Sequence, residues 1–150
     1  MSDLRELYQS VILDHNRTPR NFGELEGANR SAQGYNPLCG DQVTVYLAVE
    51  DGLVKGVSFS GSGCAISTAA ASLMTQSIKG KPEDEVQRIF EGFRRLVTAN
   101  PRHEVDAEGL GKLAVFSGVR EFPMRVKCAT LVWHTMRAAL ERAGEPVTTE

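Results

Sequence analysis

The chain is poor in cysteine and tryptophan, carries little net charge, and has no long apolar run. Each shortage removes a class of protein. No stretch approaches the ~18 consecutive apolar residues that mark a bilayer-spanning helix, so no membrane association is expected. The N-terminal MSDLRELYQS is acidic and polar from its third residue, the wrong start for a secretory signal, so a cytoplasmic location is expected. A formal charge of −2 gives no general attraction to nucleic acid, and none is expected as a partner. Three cysteines cannot all pair with each other, and cytosolic thiols stay reduced, which leaves free thiols or metal ligands. Also missing are a C-x-x-C pair, an H-E-x-x-H helix, and the Lys-Ser/Thr that would turn GSGC into a phosphate loop. There is no internal repeat, linker or low-complexity tract. The 150 residues therefore form one domain, with the composition of a soluble globular protein.

What is present begins with a helix. Leu4, Leu7, Tyr8, Val11 and Ile12 recur at helical spacing, with Asp3 and Glu6 placed as an N-terminal cap. The pattern stops at HNRTPRNFG, so residues 1–22 read as a helix and loop. A short strand is expected near Arg30 to Tyr35. From Gln42 to Glu50 the chain alternates, with Val43, Val45, Leu47 and Val49 on one face, and Asp51-Gly52 turns it back into LVKGVSFS. After SGSG the register becomes helical, with Ile66, Ala69, Ala70, Leu73 and Met74 as a stripe and Gly80 as its end. Pro82 is placed at the first position of another helix, whose acidic start at 83–85 suits the helix dipole. Residues 99–122 read as irregular, with one short helix around Leu110 to Phe116. A last helix holds Cys128, Leu131, Val132, Thr135, Met136 and Ala139 on one face, and 144–150 read as a loose tail. Strands early and helices late give an α+β fold with a small antiparallel sheet. Trp133, Phe90 and Phe93 are assigned to the core. His15, His103 and His134 are assigned surface or capping roles.

The chemistry concentrates in the thiols. Cys39 and Asp41 stand two apart in NPLCGD, and side chains at that spacing in an extended segment point the same way. Cys64 sits where SGSG hands over to a helix, whose N-terminal partial charge favours a thiolate. Cys128 lies near the start of the last helix. Three thiolates and a carboxylate form a tetrahedral set suited to zinc or an iron-sulfur cluster rather than magnesium or calcium. Four anionic ligands on a dication leave an excess of two negative charges, which Arg125 and Lys127, flanking Cys128, are placed to offset. Taken singly, each cysteine reads more readily as an inert small hydrophobe than as a ligand, and capping a turn is the commoner job for Asp41.

YQSVILDHNRTPRNFG, NPLCGD, GSGCAIS and RVKCATLVW, in that order from about Tyr8 to the end of the last helix, resemble the IscU/SufU family of iron-sulfur cluster assembly proteins, to which NifU N-terminal domains also belong. The resemblance implies a three-stranded antiparallel sheet packed against helices, with a metal site at one end. It implies Cys39, Asp41, Cys64 and Cys128 as ligands of Zn2+, or alternatively of iron or an iron-sulfur cluster. IscU-type members carry a histidine just before the third cysteine and a Leu-Pro-Pro-Val-Lys motif upstream. Here Lys127 precedes Cys128 and the upstream stretch is EFPMRVKC, and residues 99–122 match the SufU-type insertion. The SufU-type branch implies an enzyme-like relay serving a cysteine desulfurase of the SufS kind. Cys39 would accept persulfide sulfur, Arg125 and Lys127 would guide it, and downstream iron-sulfur assembly proteins would receive it. The alternative is a scaffold on which a cluster is built and handed on.

Overall fold

The computed structural model describes residues 2–37, 40–100, 109–142 and 147–148. In chain order the elements are α1 (Ser2–Arg17), β1 (Arg30–Asn36), β2 (Asp41–Glu50), β3 (Leu53–Ser62), α2 (Ala65–Ile78), α3 (Glu83–Thr98), a 3-10 helix (Gly111–Glu121), α4 (Pro123–Glu141) and β4 (Val147–Thr148). The α+β architecture is the one the sequence predicts.

The hairpin of β2 and β3 forms where Asp-Gly requires it. Asp51 and Gly52 both take positive φ, 54° and 75°, the combination whose twist matches that of the flanking strands. Glu50 pairs with Leu53 across the turn, and the register shifts between Ala48 and Val49, so Lys55 bulges out. β1 pairs antiparallel with β2 from Arg30–Leu47 to Asn36–Asp41. Asp41, Val43, Val45, Leu47 and Val49 turn inward, giving the sheet one buried face.

β4 was not expected. It runs parallel to β1, with Gly34 opposite Val147 and Tyr35 opposite Thr148, completing the order β3-β2-β1-β4. The loose tail assigned to 144–150 is thus corrected at these two residues. The outer edge of β1 offers unpaired backbone groups, and β-branched Val and Thr suit an extended partner.

Helices cover the buried face. α4 lies on β1 and β2, α2 packs against α4, and α1 lies on α2. Trp133 sits fully buried between Phe90 and Phe93, stacked at centroid distances of 5.7 and 5.0 Å, which confirms all three as core. The 3-10 helix buries Leu113, Phe116 and Val119, a spacing of three that matches its three residues per turn. It lies within the stretch read as irregular and continues past Phe116 to Glu121. Pro82 is the residue before α3 rather than its first. No helix among the described residues is long and apolar enough to cross a membrane.

Two histidines differ from expectation. His15 extends the buried stripe of α1 beyond Ile12, is only 2% exposed, and meets Ser72 Oγ through Nδ1 at 2.7 Å. Ser72 Oγ also accepts the Arg20 backbone N–H, while Asn21 donates to Thr75 Oγ1, so a polar seam joins the N-terminal segment to α2. Burial, with the charge of Arg20 next, lowers the His15 pKa below 6.5. His134 is half-buried with its ring edge against Phe90, and burial followed by Arg137 and Arg94 lowers its pKa too. His103 lies outside the described residues.

Candidate metal centre

Asp41 opens β2 and is fully buried. Its backbone pairs with Asn36 at the end of β1, and the Gly40 N–H donates to the Asn36 carbonyl at 2.9 Å. Gly40 takes a φ of 76°, and the expected alignment of residues 39 and 41 rests on a residue outside those described. Cys39 lies outside the described residues.

Cys64 is the N-cap of α2. Its sulfur accepts the Ser67 N–H at 3.4 Å, and its own N–H donates to Asp41 Oδ1 at 2.9 Å. α2 has no acidic residue in its first turn, so the Asp41 carboxylate, brought from β2, supplies the negative charge the helix N-terminus favours. The other carboxylate oxygen, Oδ2, accepts from the Cys64 thiol at 3.8 Å. Gly63 makes this approach possible, since a Cβ there would fall 2.7 Å from Asp41 Oδ1.

Cys128 arrives from a third direction, in the second turn of α4, and is buried. α4 comes close to the sheet because Gly34 has no side chain: a Cβ there would collide with Thr135 Oγ1 and stand 3.2 Å from Leu131. Leu131 and Thr135 follow Cys128 on the same helical face, so this contact also sets how far Cys128 reaches.

One ligand atom from each of Asp41, Cys64 and Cys128 lies within 4.8 Å of the others. Among the described residues this is the convergent set of potential metal ligands, and no histidine joins it. Tetrahedral zinc, with Zn–S near ~2.3 Å and Zn–O near ~2.1 Å, requires donor separations of about 3.5–3.8 Å. The 3.8 Å between Cys64 Sγ and Asp41 Oδ2 already meets this. Two sulfurs and an oxygen, with one position left for a further donor, fit zinc or an iron-sulfur cluster and do not suit a hard cation. Cys64 is exposed and Cys128 buried, so the site lies at the surface.

Arg125 is exposed in the first turn of α4, its guanidinium 4.5 Å from the centroid of the Phe122 ring. Lys127 is half-buried beside Cys128. Phe122 and Met124 expose large apolar surface at the same helix start, as does Tyr35 beside Asn36. The sequence reading missed Gly63, Ser67 and Gly34 as builders of the site. GSG before Cys64 was a visible signal, but its use is to admit a carboxylate rather than a phosphate.

The sequence matches the family described as NifU-like N terminal domain over residues 7–129. It is 34% identical over 146 residues to the iron-sulfur cluster assembly scaffold protein IscU of Streptococcus pyogenes serotype M1, covering 96% of this chain and 89% of that one. It is 35% identical over 141 residues to the zinc-dependent sulfurtransferase SufU of Bacillus subtilis, covering 94% of each. The crystal structure of FiSufU from Fervidobacterium islandicum AW-1 superposes with a TM-score of 0.82 at 33% identity, covering 90% of this chain and 97% of that one. With sequence and fold shared over nearly its whole length, the chain belongs to the NifU-like N-terminal domain family, beside relatives named IscU and SufU.

Proposed function

We propose that the chain serves iron-sulfur cluster assembly as a zinc-bound sulfur acceptor, taking sulfane sulfur from a cysteine desulfurase of the SufS kind onto Cys39. The supporting observation is the convergence of Asp41, Cys64 and Cys128 at one surface point, with Cys39 two residues from Asp41 along the chain. Asp41, Cys64 and Cys128 would hold the metal, with Cys39 as fourth donor. Bound zinc keeps coordinated thiols deprotonated.

The transfer balances without an external oxidant. The Cys39 thiolate attacks the outer sulfur of the partner's cysteine persulfide, and a new S–S bond forms at Cys39 as the old one breaks. The partner's inner sulfur leaves as thiolate, and the transferred sulfur keeps its proton. Thiolate attack needs an accessible, deprotonated sulfur, which a site at the protein surface provides. Exposed Phe122 and Met124, with Arg125 above Phe122, give the partner an apolar and cationic surface beside the α4 ligand. Lys127 in place of a histidine before Cys128, and the segment 99–122, support the SufU-type relay; the named activity of the Bacillus subtilis relative agrees.

The second reading, a scaffold on which a cluster is assembled and transferred to apo-proteins, is favoured by the name of the Streptococcus pyogenes relative. One experiment separates them. The protein is incubated with desulfurase, cysteine and iron, following alanine release and visible absorbance. The relay predicts faster turnover that is lost in Cys39→Ala, and no lasting colour on this chain. A stable coloured cluster on the purified chain would reverse the order of the two readings.

A further inference from the structure

The glycines around the centre are there for different reasons. Gly40 and Gly61 take positive φ, 76° and 130°, where any side chain is strained. Gly63 does not, so its backbone accepts alanine and the need for glycine is one of space. A Cβ at 63 would lie 2.7 Å from Asp41 Oδ1, and 3.2 Å from both Asp41 Cγ and Ser67 Cβ.

What would yield to such a Cβ decides the consequence. Ser67 is buried in the first turn of α2, its N–H donated to the Cys64 sulfur, and its Cβ is fixed by the helix backbone. The Asp41 carboxylate is the far end of a side chain, which turns about its own bonds where a helix backbone atom does not. It is also the group held between the Cys64 N–H at Oδ1 and the Cys64 sulfur at Oδ2. An added methyl therefore displaces the oxygen donor and leaves both sulfurs on their helices.

We propose that Gly63 is a positioning residue of the metal centre: its missing side chain lets the Asp41 carboxylate seat on the Cys64 N–H with Oδ2 facing the cysteine sulfurs. The inference rests on the reading of Asp41, Cys64 and Cys128 as a metal site. Gly63→Ala removes the seat without removing a ligand, so the thiolates still bind metal while the oxygen donor is misaligned.

The test uses the full chain loaded with zinc or cobalt. Gly63→Ala should bind zinc about 10–100-fold more weakly in chelator competition, the range for losing a group that orients a ligand. Its cobalt-loaded form should show shifted d–d bands. The unfolding midpoint of the metal-free variant should stay close to that of the metal-free parent. In an Asp41→Ala background Gly63→Ala should add nothing, because the group it displaces is gone. Parental zinc affinity and cobalt bands in Gly63→Ala would overturn the proposal. So would losses from Gly63→Ala and Asp41→Ala that simply add, since Gly63 would then act independently of the carboxylate. Unchanged zinc affinity in Asp41→Ala, Cys64→Ser and Cys128→Ser together would instead refute the metal site itself.

Discussion

Cys64 and His15 show how far residue type alone carries. A thiol at a helix start and a carboxylate beside another thiol declare their chemistry, and Asp41, Cys64 and Cys128 do meet. His15 declared nothing, because HNRTPRNFG looks like a loop and the partner that buries the ring, Ser72, lies 57 residues away. Its consequence is a pH dependence of stability. Burial and Arg20 hold the folded-state pKa of His15 below 6.5, so on acidification the unfolded chain takes up the proton first. This contribution is present above about pH 6.5 and is lost as pH falls through the unfolded value toward the folded one; His134 acts with the same sign. Metal-free protein should keep a constant urea midpoint from about pH 8 to 7 and lose stability toward pH 5.5, by at most ~1.4 kcal/mol per pH unit for each histidine. His15→Asn should be less stable at neutral pH and flatter across that interval. An equally steep profile in His15→Asn would show that the proton goes elsewhere.

At the scale of elements, legibility followed periodicity. Alternation over β2 and the Asp-Gly turn revealed the hairpin, and helical spacing revealed α2, α3 and α4. The 3-10 helix was only partly read, because its period of three resembles neither template, and β4 is two residues long. Packing between elements was hidden altogether, and the meeting of α4 with β1 is the instructive case. At Gly34 the helix sits so close that a methyl group would strike the hydroxyl of Thr135, which is itself donated to the Leu131 carbonyl at 2.8 Å. Gly34→Ala should cost about 1–3 kcal/mol of stability through overpacking. It should also weaken zinc binding, since the face of α4 that moves carries Cys128. Thr135→Ala removes the struck atom, so the pair Gly34→Ala/Thr135→Ala should recover part of both losses in urea unfolding and chelator competition. A double variant no better than Gly34→Ala would mean that the clash is not with this hydroxyl.

For the molecule as a whole, the centre is where β2, α2 and α4 converge, elements joined elsewhere by apolar packing. A metal held by Asp41, Cys64 and Cys128, as proposed above, would tie their ends through one atom and would bind the folded chain alone, because the unfolded chain does not hold these groups together. Zinc should then stabilise by mass action, about 2.7 kcal/mol at free zinc 100-fold above its dissociation constant. For a chain of 150 residues that corresponds to a rise in melting temperature of roughly 5–11 °C, growing with the logarithm of free zinc. Calorimetry in metal-buffered solutions should show this in the parent protein, with a smaller slope in Cys64→Ser and Cys128→Ser. The two variants differ in what else they lose. Cys64→Ser alters an exposed cap, while Cys128→Ser puts a hydroxyl in a buried position on α4, so it should be the less stable of the two even without metal. If the parent melts at one temperature across the whole zinc range, the three groups do not share an ion, and the cap on α2 would be reason enough for Asp41 and Cys64 to stand together.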